Sequence, residues 1–172
     1  EPWISLDELP PLDHQPPRKL CSIIASDKKD QTGHKLRHQV IEKILAKQLP
    51  VDVKGKGYAP FEHKWQGLLP YEYSIVIENA QESHYFTEKL LDAYLCGTIP
   101  IYWGTRDIGR YFNTDGMIIC HSVSDITKAI MSLSNNLDIK TKQAIKTNKQ
   151  LAYGYGNRPQ RIAQTIFNQL SA

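Results

Sequence analysis

Five polar side chains in two stretches of the chain are of types that bind anionic or polar small ligands. Asn79, Tyr85, Glu88 and Lys89 lie in or just after a loop that joins an apolar run to a helix-like run, and Arg37 lies near the start of another helix-like run. Guanidinium and ammonium groups pair with phosphate oxygens, amide and phenol groups donate to phosphate or sugar oxygens, and a carboxylate accepts from paired hydroxyls. The set is suited to an anionic small ligand.

The elements that must position four of these side chains form a β–α–β unit. Residues 74–77 are a short β-branched apolar run, typical of a strand buried on both faces. Thr87 is a candidate N-cap for a helix over 88–96 that ends at Gly97, and 99–103 is the next buried strand. Parallel strands joined by a helix place the loop and the helix N-terminus at the carboxyl edge of the sheet, where ligands bind.

Lys89 has two interpretations at this point. In the first turn of a helix, a lysine opposes the helix dipole by about 0.3–1 kcal/mol, whereas a bound phosphate would be attracted to both the helix N-terminus and the ammonium. The alternative is a solvated surface lysine next to Glu88. Spacing alone leaves both open.

The remaining periodicity predicts an α/β fold, with a Rossmann-like, mostly parallel sheet flanked by helices. We expect strands at 20–26, 51–54, 74–78, 99–103 and 117–120, helices at 34–47, 88–96, 125–133, 135–151 and 158–170, and short helical turns at 64–69 and 108–112. Arg37 would lie in the first turn of its helix.

We divide the chain into a Pro-rich arm or linker, residues 1–18, and a Rossmann-like domain, residues 19–172. The arm holds five prolines, a density that argues against helix. Its apolar residues Trp3, Ile4, Leu6 and Leu9 could pack on this domain or on a partner domain.

Composition narrows the class of protein. The chain has 172 residues, 41% hydrophobic and 23% charged, with a net charge of +3, which indicates a globular protein and gives no basis for nucleic-acid binding. We find no signal peptide or transmembrane segment. The thiols of Cys21, Cys96 and Cys120 lie in apolar runs without metal-ligand spacing, so we expect them to be buried and reduced. This favours a cytoplasmic location, with peripheral membrane attachment left open.

A longer pattern adds a family resemblance. The run from Ile77 to Gly104, IENAQESHYFTEKLLDAYLCGTIPIYWG, resembles the donor-binding signature of the α-1,3-fucosyltransferases: an (F/I)EN motif, a short loop, Y-x-TEK, a helix and an IPIYWG-like strand. The resemblance extends from about Lys19 to about Asn136. It implies the C-terminal, GDP-fucose-binding half of a two-domain GT-B glycosyltransferase.

The resemblance also implies roles for the candidate residues. Residues 33–37, GHKLR, match a G-H-x-x-R pattern whose arginine reaches the donor pyrophosphate, so Arg37 joins Asn79, Tyr85, Glu88 and Lys89 as donor-binding residues. The glycine-containing loop after residue 54 is expected to border the same site.

The implied reaction is inverting transfer of L-fucose from GDP-fucose to a glycan hydroxyl. Arg37 and Lys89 would stabilise the departing GDP, and the lack of a D-x-D motif after a strand leads us to expect no obligatory metal and no cofactor besides the donor. In the family, the general base belongs to the N-terminal acceptor domain. Only about 18 residues precede the first strand, so we expect that domain to be missing and assign no catalytic residue in this chain. We therefore expect an incomplete enzyme, whose glycan acceptor would be bound through the missing domain.

Two alternatives remain from the sequence. The domain could be a nucleotide-sugar binding module without transferase activity, or half of a GT-B enzyme that uses a different nucleotide sugar. A panel of nucleotides separates the second alternative from the fucosyltransferase interpretation.

Overall fold

Five parallel strands form the sheet of this protein in a computed structural model, which describes residues 1–11 and 18–156. The strands are β1 (Lys19–Ile24), β2 (Val51–Lys54), β3 (Tyr71–Ile77), β4 (Ile99–Trp103) and β5 (Ile118–Ile119). Their order across the sheet is β2-β1-β3-β4-β5, and every neighbouring pair is parallel. The predicted central unit is confirmed, because Ile75 of β3 pairs with Ile101 of β4.

Four α-helices in the described part of the chain cover the two faces of this sheet. They are α1 (Thr32–Ala46), α2 (Glu88–Leu95), α3 (Val123–Met131) and α4 (Ile139–Gly154). Helices α1 and α3 share one hydrophobic core with one face of the sheet, and α2 and α4 share a second core with the other face. Strands β3 and β4 are buried almost throughout, as expected for central parallel strands covered on both sides. The predicted α/β fold with a Rossmann-like sheet is confirmed.

The direction in which successive strands are added to the sheet reverses between β1 and β3. After β1 it passes through α1 to β2 on one side, whereas after β3 it passes through α2 to β4 on the other side. The loops that leave β1 and β3 therefore diverge and open a crevice at their carboxyl ends, which is the usual ligand position in open α/β sheets.

Local signals explain several of the helix boundaries. The side chain of Thr87 accepts a hydrogen bond from Lys89 N, so the predicted N-cap of α2 is confirmed. Ser122 caps α3 by accepting from Asp125 N. Gly97 follows α2 with a φ of 65°, a left-handed conformation that glycine adopts without a steric penalty.

Most element boundaries differ from the sequence predictions by one to four residues. Helix α4 begins at Ile139 and not at 135, because the side chain of Asp138 caps it by accepting from Thr141 N. Helix α1 begins at Thr32, so Arg37 lies in its second turn and the prediction of the first turn is wrong. Within the arm, Leu6–Glu8 form one turn of 3-10 helix, in the stretch between Pro2 and Pro10. The helix predicted over 158–170 lies outside the described residues.

The beginning of the arm packs on this domain. Ile4 is 3% exposed and belongs to the core that α2 and α4 share. Cys21, Cys96 and Cys120 are free and buried, as predicted. Within residues 1–11 and 18–156, no helix combines the length and hydropathy needed to cross a membrane.

Candidate functional site

A cavity of about 540 Å³ lies at the carboxyl ends of β1, β2 and β3. Its walls include residues that follow these strands and the N-terminal turn of α2. The five side chains that the sequence singled out all line this one cavity: Arg37, Asn79, Tyr85, Glu88 and Lys89. The glycine-containing loop after β2 also borders it, through Gly55 and Lys56.

Close contact between α1 and the end of β3 forms one side of the site. Gly33 N donates a 2.9 Å hydrogen bond to the carbonyl of Asn79. A Cβ at position 33 would lie only 1.7 Å from the carbonyl oxygen of Glu78. Only glycine allows the helix to approach this closely, and the approach brings the second turn of α1 against the cavity.

Arg37 is buried, with 7% exposure, at this contact. Its Nη2 donates a 2.6 Å hydrogen bond to the carbonyl of Ile77, the last residue of β3. Burial lowers the pKa of the guanidinium, and the carboxylates of Glu78 and Glu88 oppose that shift. A guanidinium has five N–H donors, so the bond to Ile77 leaves donors for a ligand.

Glu78 anchors the loop that leads into α2. Its carboxylate is fully buried, and it accepts hydrogen bonds from the backbone N (2.9 Å) and Oγ1 (2.6 Å) of Thr87. Desolvation raises the pKa of Glu78, and the bonds from Thr87 and the charge of Lys89 oppose it. Glu78 therefore holds Thr87, the N-cap of α2, in place.

Lys89 takes part in the same network. Its Nζ lies 3.1 Å from Thr87 Oγ1, 3.2 Å from Glu88 Oε1 and 3.7 Å from Glu78 Oε2. The side chain is 26% exposed and forms an ion pair with Glu88, and its role in ligand binding stays a prediction. Burial would raise the pKa of Glu88, but the ion pair and hydrogen bond with Lys89, together with Lys64, hold this pKa below its usual value.

Asn79 and Tyr85 complete the predicted set. The amide oxygen Oδ1 of Asn79 is buried and has no hydrogen-bond partner among the described residues. An unsatisfied buried acceptor costs about 1–3 kcal/mol, and a ligand hydroxyl that donates to it would remove this cost. Burial raises the pKa of the Tyr85 phenol, and nearby carboxylates add to the effect. The phenol thus stays protonated and can donate to a ligand oxygen.

Sequence reasoning missed part of the cavity wall. The additional residues with charged or aromatic side chains are Trp3, Lys28, His34, Phe61 and Lys64. The G-H-x-x-R pattern could have pointed to His34. Phe61 lies in, and Lys64 at the end of, the loop after residue 54 that was expected to border the site. No motif marks Lys28, or Trp3 of the N-terminal arm. In the described part of the chain, no group of three or more His, Cys, Asp or Glu side chains could hold a metal ion.

Comparison with known proteins identifies the family. The model of the C-terminal domain of glycosyltransferase family 10 (fucosyltransferase) matches residues 15–144. The chain belongs to glycosyltransferase family 10. The family resemblance that the 77–104 signature predicted is thereby confirmed.

Relatives of this family 10 domain include α1,3-fucosyltransferases. An α-(1,3)-fucosyltransferase of Helicobacter pylori is 36% identical over 69 residues, which are 40% of this chain and 14% of that protein. A crystal structure of an α1,3-fucosyltransferase is 28% identical, with a TM-score of 0.50, over 78% of this chain and 34% of that chain. A crystal structure of an α1,3-fucosyltransferase with GDP-fucose has a TM-score of 0.55 at 23% identity, over 78% of this chain and 46% of that chain.

The fold of the family 10 domain also extends to a more distant protein. A point mutant of Staphylococcus aureus TarM, crystallised with fondaparinux, α-GlcNAc-glycerol and UDP, has a TM-score of 0.57 at 12% identity, over 98% of this chain and 38% of that chain. The five-stranded parallel sheet flanked by helices is that of one half of a GT-B glycosyltransferase. The chain spans less than half the length of each of these proteins.

Proposed function

We propose that this domain binds GDP-fucose and presents it for inverting transfer of L-fucose to a glycan hydroxyl. The observation that carries the proposal is the convergence of Arg37, Asn79, Tyr85, Glu88 and Lys89 on one cavity at the sheet's carboxyl edge. Family membership supports fucosyl transfer, and a similar fold crystallised with GDP-fucose supports the donor.

The two cations of the site are suited to the donor pyrophosphate. Arg37 reaches the cavity from α1 and Lys89 from the first turn of α2, so they can meet phosphate oxygens from two sides. As the bond from fucose to phosphate breaks, negative charge grows on GDP, and positioned cations stabilise it. The helix N-terminus next to Lys89 adds to this stabilisation.

The polar groups of the site are suited to the sugars. Glu88 is held ionised by Lys89 and can accept hydrogen bonds from a pair of hydroxyls on ribose or fucose, because the ion pair keeps its pKa low. The buried Oδ1 of Asn79 can accept from one more hydroxyl, and Tyr85 can donate to a phosphate or sugar oxygen.

The general base is proposed to come from the acceptor-binding domain of the assembled enzyme. Inversion requires a base that removes the proton from the acceptor hydroxyl as that oxygen attacks the anomeric carbon. Glu78 is unsuited to this role, because both of its oxygens already accept hydrogen bonds from Thr87. We further propose that the reaction has no obligatory metal, because Arg37 and Lys89 supply the positive charge.

Two measurements on the purified chain test the proposal. Calorimetric titration with GDP-fucose, GDP, UDP and guanosine should show binding of the two guanosine diphosphate ligands and much weaker binding of guanosine. Product analysis with an N-acetyllactosamine-type acceptor should show no fucosylated product from these 172 residues alone, because the base is proposed to lie in another domain. Tighter binding of UDP than of GDP would overturn the choice of donor, no nucleotide binding by a folded sample would overturn the donor domain, and transfer at an enzymatic rate would place a base within this chain.

A further inference from the structure

The indole of Trp3 stands at the wall of the cavity, although Trp3 belongs to the N-terminal arm. It lines the cavity and is 71% exposed. A large aromatic ring left in water forgoes the free energy that its burial would supply. A ring held in that position next to a ligand cavity is available to contact the ligand.

The backbone beneath Trp3 is firmly held. Asp92 of α2 is fully buried, and its Oδ1 accepts hydrogen bonds from the backbone N of Trp3 at 2.8 Å and of Ile4 at 3.1 Å. Its Oδ2 lies 2.6 Å from the ammonium of Lys64. Releasing the arm would leave a buried carboxylate with fewer partners, which is costly. The exposure of the indole therefore does not come from a loose backbone.

Lys64 also supports the ring itself. Its ammonium lies 4.5 Å from the centroid of the Trp3 ring, a cation–π distance. The same ammonium contributes to the lowered pKa of Glu88, so Lys64 lies close enough to Glu88 to act on its charge. Trp3, Lys64 and Glu88 all line the cavity, and most of the indole surface is still open.

We propose that Trp3 forms the base subsite and stacks on the purine ring of the donor nucleotide. The inference rests on the proposed function, in which Lys89 and Arg37 hold the pyrophosphate and Glu88 meets a sugar hydroxyl pair. A nucleotide with its ribose near Glu88 would place its base towards Trp3. An aromatic ring provides a flat surface for a base without requiring hydrogen bonds.

The test compares Trp3→Ala, Trp3→Phe and Tyr153→Ala by calorimetry with GDP and with inorganic pyrophosphate. Tyr153 is a matched control, since it is an aromatic residue of α4 with 63% exposure and lies outside the set that lines the cavity. Base–aromatic stacking is worth about 1–3 kcal/mol by alanine substitution, so Trp3→Ala should weaken GDP binding about 5- to 150-fold. Trp3→Phe should keep most of the affinity, and Tyr153→Ala all of it.

Tryptophan fluorescence reports on the Trp3 ring directly. GDP should quench part of the tryptophan fluorescence of the wild-type chain, and Trp3→Phe should lose that part while still binding GDP. Pyrophosphate has no base, so it should bind wild type and Trp3→Ala equally and should not quench.

The outcomes separate the two proposals. GDP binding by Trp3→Ala at the wild-type level, or an equal loss of GDP and pyrophosphate binding, overturns base stacking and leaves the donor domain standing. Failure of the wild-type chain to bind any nucleotide overturns the proposed function and the subsite together. If UDP is added as a third ligand, Trp3-dependent binding of UDP that is tighter than that of GDP would overturn both the purine assignment of the subsite and the guanine-nucleotide donor.

Discussion

Arg37 donates a 2.6 Å hydrogen bond from its guanidinium to the carbonyl oxygen of Ile77, at the point where β3 ends. This bond joins α1 to the central strand beneath the cavity. Arg37 therefore has a structural contact in the free protein in addition to its proposed contact with pyrophosphate. Lys89, by contrast, bonds to side chains around the N-terminus of its own helix, so the two cations should respond differently to mutation.

Arg37→Ala should reduce both stability and ligand binding. The carbonyl of Ile77 would lose its side-chain donor, and an unsatisfied buried group costs about 1–3 kcal/mol. Urea unfolding measures the stability and calorimetry with GDP measures the binding. Arg37→Lys is the matched variant and should recover only part of the stability and part of the GDP binding, since an ammonium lacks the planar, forked donors of a guanidinium. An Arg37→Ala variant as stable as wild type would show that the bond to Ile77 contributes nothing.

Lys89→Ala should weaken GDP binding with little change in guanosine binding. Charge-assisted hydrogen bonds contribute about 1.5–3 kcal/mol, which corresponds to about 10- to 150-fold in affinity. Lys43→Ala is the control, because Lys43 is an exposed lysine in the last turn of α1. Equal losses for GDP and guanosine would mean that Lys89 does not act on the phosphates.

Gly33→Ala should destabilise the protein, whereas Gly154→Ala should not. A Cβ at position 33 would lie 1.7 Å from Glu78 O, so α1 would have to shift, at about 1–3 kcal/mol or more. At Gly154, in the last position of α4, no atom of the described residues lies within 4 Å of an added Cβ, and alanine should be neutral or stabilising by up to about 1 kcal/mol. Denaturant midpoints of the two variants measure the difference. Equal midpoints would contradict the close contact.

Glu78→Gln should change the pH dependence of stability in a defined direction. Burial raises the pKa of Glu78 above its ordinary value of 4.5. At a pH between the ordinary pKa of the unfolded chain and the raised pKa of the folded protein, the folded protein binds the proton and the unfolded chain does not. The contribution of Glu78 to the free energy of unfolding therefore falls as pH rises through that range. Subtracting the variant's unfolding free energy from that of wild type isolates the group.

That difference should be flat below the ordinary carboxyl pKa, decline as pH rises above it, and become flat again above the raised pKa. Thermal or urea unfolding across this range provides the measurement. A difference that rises with pH would show that the ion pair with Lys89 outweighs the desolvation of Glu78.

Local signals in the chain were sufficient for most of the fold. Apolar β-branched runs located the strands, and Thr87 and Gly97 marked the ends of α2. These features could be predicted because buried strands, helix caps and left-handed glycines each depend on residues close together in the sequence. Four of the five site residues lie within 11 positions of one another after β3. Their shared cavity followed from β–α–β geometry.

Contacts between distant segments were decided only by the tertiary structure. Helix α1 starts at Thr32, where Gly33 meets Asn79, and that contact depends on two segments more than 40 residues apart. Trp3 lines the cavity, and its backbone N–H donates to Asp92, 89 positions later. No local pattern encodes such pairings, because they form when buried polar groups and close-packed surfaces of separate elements must satisfy one another.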